Sequence, residues 1–234
     1  MLPVGLAKCN EEEMTKHLHM EIEKLKKKIL SLSATVEESV KKAVESVEDR
    51  NTELAQKVIE GDLKIDEAEV ELEEDCLKIL ALHQPVAIDL RFIITVLKIN
   101  NDLERIGDEA ANIAERTKTL SAQGIYKIPV DLNGMAEKVE HMLKMSLDSL
   151  VQLDSNMARK VRLSDDEVDN LYAEIHDVVK AEIKSRPEEI EYFIQILGTA
   201  RHLERIADHA TNIAEDVIYM IEGIIIRHQM GNFN

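Results

Sequence analysis

The chain contains itself twice. Residues 103–115 read LERIGDEAANIAE and residues 203–215 read LERIADHATNIAE, identical at ten of thirteen positions at an offset of 100. Toward the N-terminus, Pro85 pairs with Pro187 at an offset of 102. Further up, Ala55, Asp62 and Asp66 pair with Ala158, Asp165 and Asp169 at an offset of 103. The order of features is kept while the register drifts by small deletions. A duplication of this kind means one supersecondary unit used twice. It predicts a first unit over residues 15–121 and a second over 134–228. Residues 122–133, with Gly124 and Pro129, read as the linker. Residues 1–14 read as a disordered lead-in and 229–234 as a tail.

Within each unit the pattern is helical. Only 8 Gly and 4 Pro occur in 234 residues, too few turn-formers for a sandwich or barrel that turns every ~8–12 residues. Aromatics are 3% and Trp is absent, so the core is aliphatic. Ile99, Leu103, Ile106, Ala110, Ile113 and Leu120 form an apolar stripe at helical spacing. Leu203, Ile206, Ala210, Ile213, Val217 and Met220 repeat it. Pro85 and Pro187 mark the starts of these third helices, at the first helical position, where a missing N–H costs nothing. Second helices are predicted over 52–83 and 156–185, and first helices over 15–50 and 133–155. Ser164 with Glu167 fits a capping box and predicts a break near 164, with Gly61 as the matching weak point. The expected fold is all-α, two tandem, sequence-related three-helix bundles.

A second stripe repeats on the third helix. With Leu103 set at 0° and about 100° per residue, Glu104, Asp108, Asn112 and Glu115 fall nearly opposite the apolar residues. Glu204, Asp208, Asn212 and Glu215 reproduce them. The ordinary reading of one such acidic pair is a solvated face. However, like charges at i and i+4 mildly destabilise a helix, and this stripe is kept where neighbours changed, Gly107 to Ala207 and Glu109 to His209. Asp62 and Asp66, with Asp165 and Asp169, supply a second i, i+4 pair in each half. If helices two and three are antiparallel neighbours, each half converges four carboxylates. Such charges stay apart or take a cation between them. All-oxygen ligation suits Mg, Ca, Mn or iron. The candidate ligands are Asp62, Asp66, Glu104, Asp108, Asp165, Asp169, Glu204 and Asp208.

Several function classes are disfavoured. With 29 basic against 46 acidic residues and a net charge of −17, the chain lacks the field that holds nucleic acid. The one dense basic stretch, Lys24, Lys26, Lys27 and Lys28, reads as a solvated face. Cys9 and Cys76 form no disulfide framework, and Cys76 sits in an apolar helical pattern as a core residue. The start lacks a signal-peptide pattern. The longest apolar run, Phe92 to Leu97, is far short of the ~20 residues that span a bilayer. A cytoplasmic protein is expected, peripheral to the membrane through partners at most. No phosphate-cradling Gly-rich loop and no catalytic triad is present. None of the 8 histidines has an acid three residues before it, which argues against a di-iron enzyme or ferritin-like store. His176 and His209 read mainly as ordinary histidines that could join a cluster, and Arg105 and Arg205 as partners of nearby acids.

The segments QPVAIDLRFIITVLKINNDLERIGDEAANIAE from Gln84 and RHLERIADHATNIAEDVIYMIEG from Arg201, in tandem, resemble the PhoU family of bacterial phosphate uptake over about residues 15–228. The resemblance implies two three-helix bundles and no catalysis. It implies acidic motifs that in some members bind multinuclear iron or other metal, here Glu104 to Asp108 and Glu204 to Asp208. Asp62 to Asp66 and Asp165 to Asp169 are the second-helix counterparts. Iron comes first, with Mn, Zn, Mg or Ca as alternatives and a metal-free protein also open. Asn51 stands where the second copy has Asp154 and the family often has Asp; if that residue helps a site, the first half is weakened. The family's role would make the chain a negative regulator of the phosphate-starvation response. Its expected partners are the ATPase subunit of the phosphate ABC transporter and a membrane sensor histidine kinase. A monomer and a homodimer are both open. The alternatives are a metal-free adaptor whose acidic faces bind a basic partner and, last, a metalloenzyme or iron store.

Overall fold

A computed structural model describes residues 4–123 and 130–225, with side chains from residue 16 onward. Six helices follow one another among the described residues: α1 (Val4–Glu48), α2 (Thr52–His83), α3 (Ala87–Ser121), α4 (Leu132–Gln152), α5 (Ser155–Ser185) and α6 (Ile190–Glu222). A short 3₁₀ turn, Pro187–Glu189, precedes α6. Each repeat is a three-helix bundle, and α3 packs on α6 to join the two. None of the described helices is long and apolar enough to cross a membrane.

The turns are built alike in both halves. Arg50 (φ 52°) and Leu153 (φ 53°) take the left-handed conformation that ends α1 and α4. The next residue caps the following helix. Asn51 Oδ1 accepts from Leu54 N at 3.0 Å, and Asp154 Oδ1 accepts from Asn156 N and Met157 N at 2.9 and 3.1 Å. Such caps satisfy N–H groups that have no partner inside the helix. Asn51 and Asp154 are therefore turn-makers in this fold. Gly223 (φ 72°) ends α6 in the same left-handed region, where glycine carries no steric cost.

Four local expectations are corrected. The first helix begins at Val4, so residues 4–14 continue it where a disordered lead-in was expected; no proline interrupts the run from residue 4 to 48. No break occurs at 164 or at Gly61, because α5 and α2 are continuous. Ser164 Oγ donates to Lys160 O at 3.2 Å, a bond within the helix that removes it from any capping box. Pro85 lies two residues before α3, whose first residue is Ala87 with Val86 as N-cap. Pro187 opens the 3₁₀ turn, not α6 itself. Of the linker, residues 124–129 lie outside the described residues, as does the tail.

The core is the predicted aliphatic one. Ile99, Leu103, Ile106, Ala110, Ile113 and Leu120 are buried, as are Leu203, Ile206, Ala210, Ile213 and Val217, with Met220 packed against them. Cys76 is buried, and burial pushes its thiol up to about 12. Lys24 and Lys26 pair with Glu21 and Glu23, and Lys28 with Glu71 and Asp75. Lys24, Lys26 and Lys27 form the solvated face expected of the basic stretch, whereas Lys28 ties α1 to α2.

Candidate metal centre and the cleft between the repeats

Helices α2 and α3 run antiparallel. The Asn100 amide donates to Glu69 O at 2.9 Å, while Lys118 Nζ donates to Gln56 Oε1 at 2.6 Å, so one position falls as the other rises. Asp62 and Asp66 thereby meet Glu104 and Asp108. Burial pushes the half-buried Asp62 carboxyl up to about 6, helped by the charges of Asp66, Asp108 and Glu104. Glu104 is raised by burial, then by Asp108 and Asp66, and Asp108 by burial, then by Asp66 and Glu109. Each would be more acidic in water; the cluster resists full ionisation. Asp62 Oδ1 is buried without a hydrogen-bond partner. Gly107 makes room for it: a Cβ there would lie 3.0 Å from both Asp62 Oδ1 and Ile65 Cδ1.

The second repeat builds the same cluster. Asp165 is pushed up to about 6 by burial, then by Asp169 and Asp208. Asp165 Oδ1 and Thr211 Oγ1 are buried with no hydrogen bond, although the nearby hydroxyl tempers the rise. Glu204 is raised by burial and then by Asp208 and Asp169, and Asp208 by burial and then by Asp169. The eight predicted ligands thus fall into two groups of four, in which Asp66 raises Asp62, Glu104 and Asp108, and Asp169 raises Asp165, Glu204 and Asp208. As the side chains lie, no three of the described His, Cys, Asp or Glu groups stand close enough to hold one ion. Glu215, at the end of the stripe, is engaged by Arg162 at 3.0 Å.

The second cluster opens onto a cleft of about 940 Å³ between the repeats, where Asp165 and Asp208 share the wall with Lys98, Asn101, Asp102 and His209. Three acids at the α3–α6 junction were not among the predicted ligands. Asp102 is 8% exposed, Glu109 3% and Asp216 1%, and each has a cationic or histidine partner across the α3–α6 junction. His209 Nδ1 lies 2.8 Å from Asp102 Oδ1, and Lys98 Nζ donates to Asp216 Oδ1 at 3.1 Å. Glu109 meets His202 Nδ1 at 2.5 Å and Arg205 at 3.0 Å. Burial alone would raise the Glu109 carboxyl; the His202 hydrogen bond and the Arg205 charge outweigh it and hold it low. His209 belongs to this seam, while His176 is exposed, with its nearest acid, Asp177, at 3.6 Å. Arg105 Nε donates to Asn101 Oδ1 at 3.1 Å. A signal for the seam was present. At the offset of 100, Asp102 aligns with His202 and Glu109 with His209, so the repeats differ by acid-to-histidine exchanges that pair crosswise.

The PhoU domain matches this chain twice, over residues 29–117 and 132–217, in step with the two bundles. The chain is 42% identical over 212 residues to the phosphate-specific transport system accessory protein PhoU homolog of Aquifex aeolicus, covering 91% of this chain and 96% of that one. It is 36% identical over 226 residues to the homolog from Pseudomonas aeruginosa, covering 94% and 93%. The crystal structure of PhoU from Pseudomonas aeruginosa superposes with a TM-score of 0.85 at 36% identity, covering 88% of this chain and 99% of that one. The phosphate transport system regulatory protein PhoU from Streptococcus pneumoniae superposes with a TM-score of 0.78 at 29% identity, covering 89% and 98%. Twofold repeat, bundle architecture and near full-length similarity agree, and the chain belongs to the PhoU family.

Proposed function

We propose that this chain is a cytoplasmic, non-enzymatic regulator of phosphate uptake that represses the phosphate-starvation response. It acts as a metal-binding adaptor between the ATPase subunit of the phosphate ABC transporter and a sensor histidine kinase. The relatives' names as accessory and regulatory proteins of phosphate transport support the role. One observation carries the metal reading: the same four-carboxylate cluster is built twice, each with an aspartate at about 6 and a buried oxygen without a partner. The donor set is all oxygen and fits a hard cation such as iron, manganese, magnesium or calcium better than zinc. Asp62, Asp66, Glu104 and Asp108 would hold it in one half, and Asp165, Asp169, Glu204 and Asp208 in the other, after side-chain rotation. The cation would neutralise each cluster and tie the second helix of a repeat to the third.

A second reading has its own support. No three donors converge as the described side chains lie, which favours acidic faces that bind a basic partner without metal. One experiment separates the two. A deletion strain is complemented with wild type or with the Glu104→Gln, Asp108→Asn, Glu204→Gln, Asp208→Asn variant, reading phosphate-starvation gene expression in phosphate-rich medium. Both proteins, purified without chelator or His-tag, are assayed by plasma mass spectrometry. The metal-binding adaptor predicts repression and stoichiometric metal for wild type only. Metal-free wild type with an inactive variant selects the basic-partner reading. A deletion that leaves expression unchanged overturns the regulatory role.

A further inference from the structure

The outer face of α2 differs from its counterpart in the second repeat. Leu63, Val70 and Leu77 are 62%, 52% and 53% exposed. They recur every seventh residue, so they fall within about 40° of one line and span about 21 Å. At the repeat offset of 103, the matching positions are Asp166, Ala173 and Lys180. A solvent face needs no such seam, and the duplicate does without it. Exposed apolar side chains scattered singly are common on any protein, but these three share one acid-bordered line of α2 that the second repeat lacks. Acids border the row on both sides: Glu67 and Glu74 at about 40–60° on one flank, Asp66 and Glu73 at the same angles on the other. Two α2 lysines stand beside them: Lys78, which meets Glu74 at 3.4 Å, and Lys64, three residues before Glu67.

We propose that this face docks an amphipathic helix of a basic partner, with apolar residues at seven-residue spacing and Lys or Arg on both flanks. Apolar knobs at that spacing seat a facing helix, and flanking charges select its partner. A second copy of the same face would set two acidic rims against each other, which is repulsive. An anionic lipid surface meets the same objection. This inference goes beyond the adaptor reading: Asp66 belongs to both the rim and the first carboxylate cluster, while Glu67, Glu73 and Glu74 belong to the rim and to none of the proposed ligand sets.

The probe is a fluorescein-labelled peptide of about three heptads, with Leu on one line and Lys on both flanks. A control peptide carries Glu in place of each Lys. Anisotropy titrations use the full chain, its Leu63→Ser, Val70→Ser, Leu77→Ser variant, and a single Val70→Asp variant should the triple variant fold poorly. We expect wild type to bind the basic peptide, and the seam variants to bind it at least about ten-fold more weakly. No binding by wild type, equal binding by a folded seam variant, or equal binding of the Glu peptide overturns the proposal. Sedimentation showing a wild-type dimer that Val70→Asp dissociates overturns it in favour of a second copy.

Discussion

Replacing Asp62 and Asp165 by asparagine should stabilise the metal-free protein. Each carboxyl is raised from 3.8 to about 6, chiefly by burial and then by its acidic neighbours. A tenfold change in proton affinity corresponds to about 1.4 kcal/mol between the two protonation states. A fully buried site would therefore give about 3 kcal/mol at neutral pH. Both carboxyls are only half-buried, and solvent screening reduces this to about 1–2 kcal/mol for each. The folded state binds the extra proton between the two values, so wild-type stability rises as pH falls through 6 and is lost as pH rises through it. The amide cannot ionise and escapes the penalty. In a chain this long, each kcal/mol moves Tm by about 2–4 °C. Urea and thermal unfolding, followed by circular dichroism after chelation, should show the double variant more stable at about pH 7.5. The gain should fall by about half near pH 5 and by most of its value near pH 4. No gain at the higher pH, or an undiminished gain at the lower ones, would refute the electrostatic argument.

Two other substitutions probe the scaffold around these clusters. Glu109→Ala leaves His202 and Arg205 without their buried partner across α3 and α6 and should cost about 3 kcal/mol in urea unfolding; a change below about 1 kcal/mol would show that the junction does not rely on this pair. Asp154→Ala removes the α5 cap and should cost about 1 kcal/mol without altering metal content by mass spectrometry, whereas lost metal would return Asp154 to a site.

Much of the fold was legible because helices are written in local periodicity. Leu103 to Ile113 and Leu203 to Ile213 are stripes at helical spacing, and all of their apolar members are buried. The eight acids were legible for the same reason, since i, i+4 spacing fixes a shared face whatever the helix packs on. The local signals failed where they competed with tertiary packing. Ser164 and Glu167 resemble a capping box, yet α5 continues because Val161, Val168 and Ile175 are buried on either side of them. Pro85 and Pro187 mark the entries to α3 and α6 only to within a few residues, because a proline forbids helix interior without fixing which residue starts the helix.

Sequence alone determined the duplication, the all-helical class, the aliphatic core and the two groups of acidic residues, because each depends on spacing along one chain. The tertiary structure decided which faces meet. It buried Asp62, Glu104 and Asp108 in part beside Asp66, and burial first, then the neighbouring charges, raised the Asp62, Glu104 and Asp108 carboxyls. It buried Asp102 and Glu109 against His209 and His202 of the other repeat, and it left Leu63, Val70 and Leu77 in solvent. Burial and ionisation depend on what lies across the gap between helices, and across the repeat junction that neighbour is about 100 residues away in the chain.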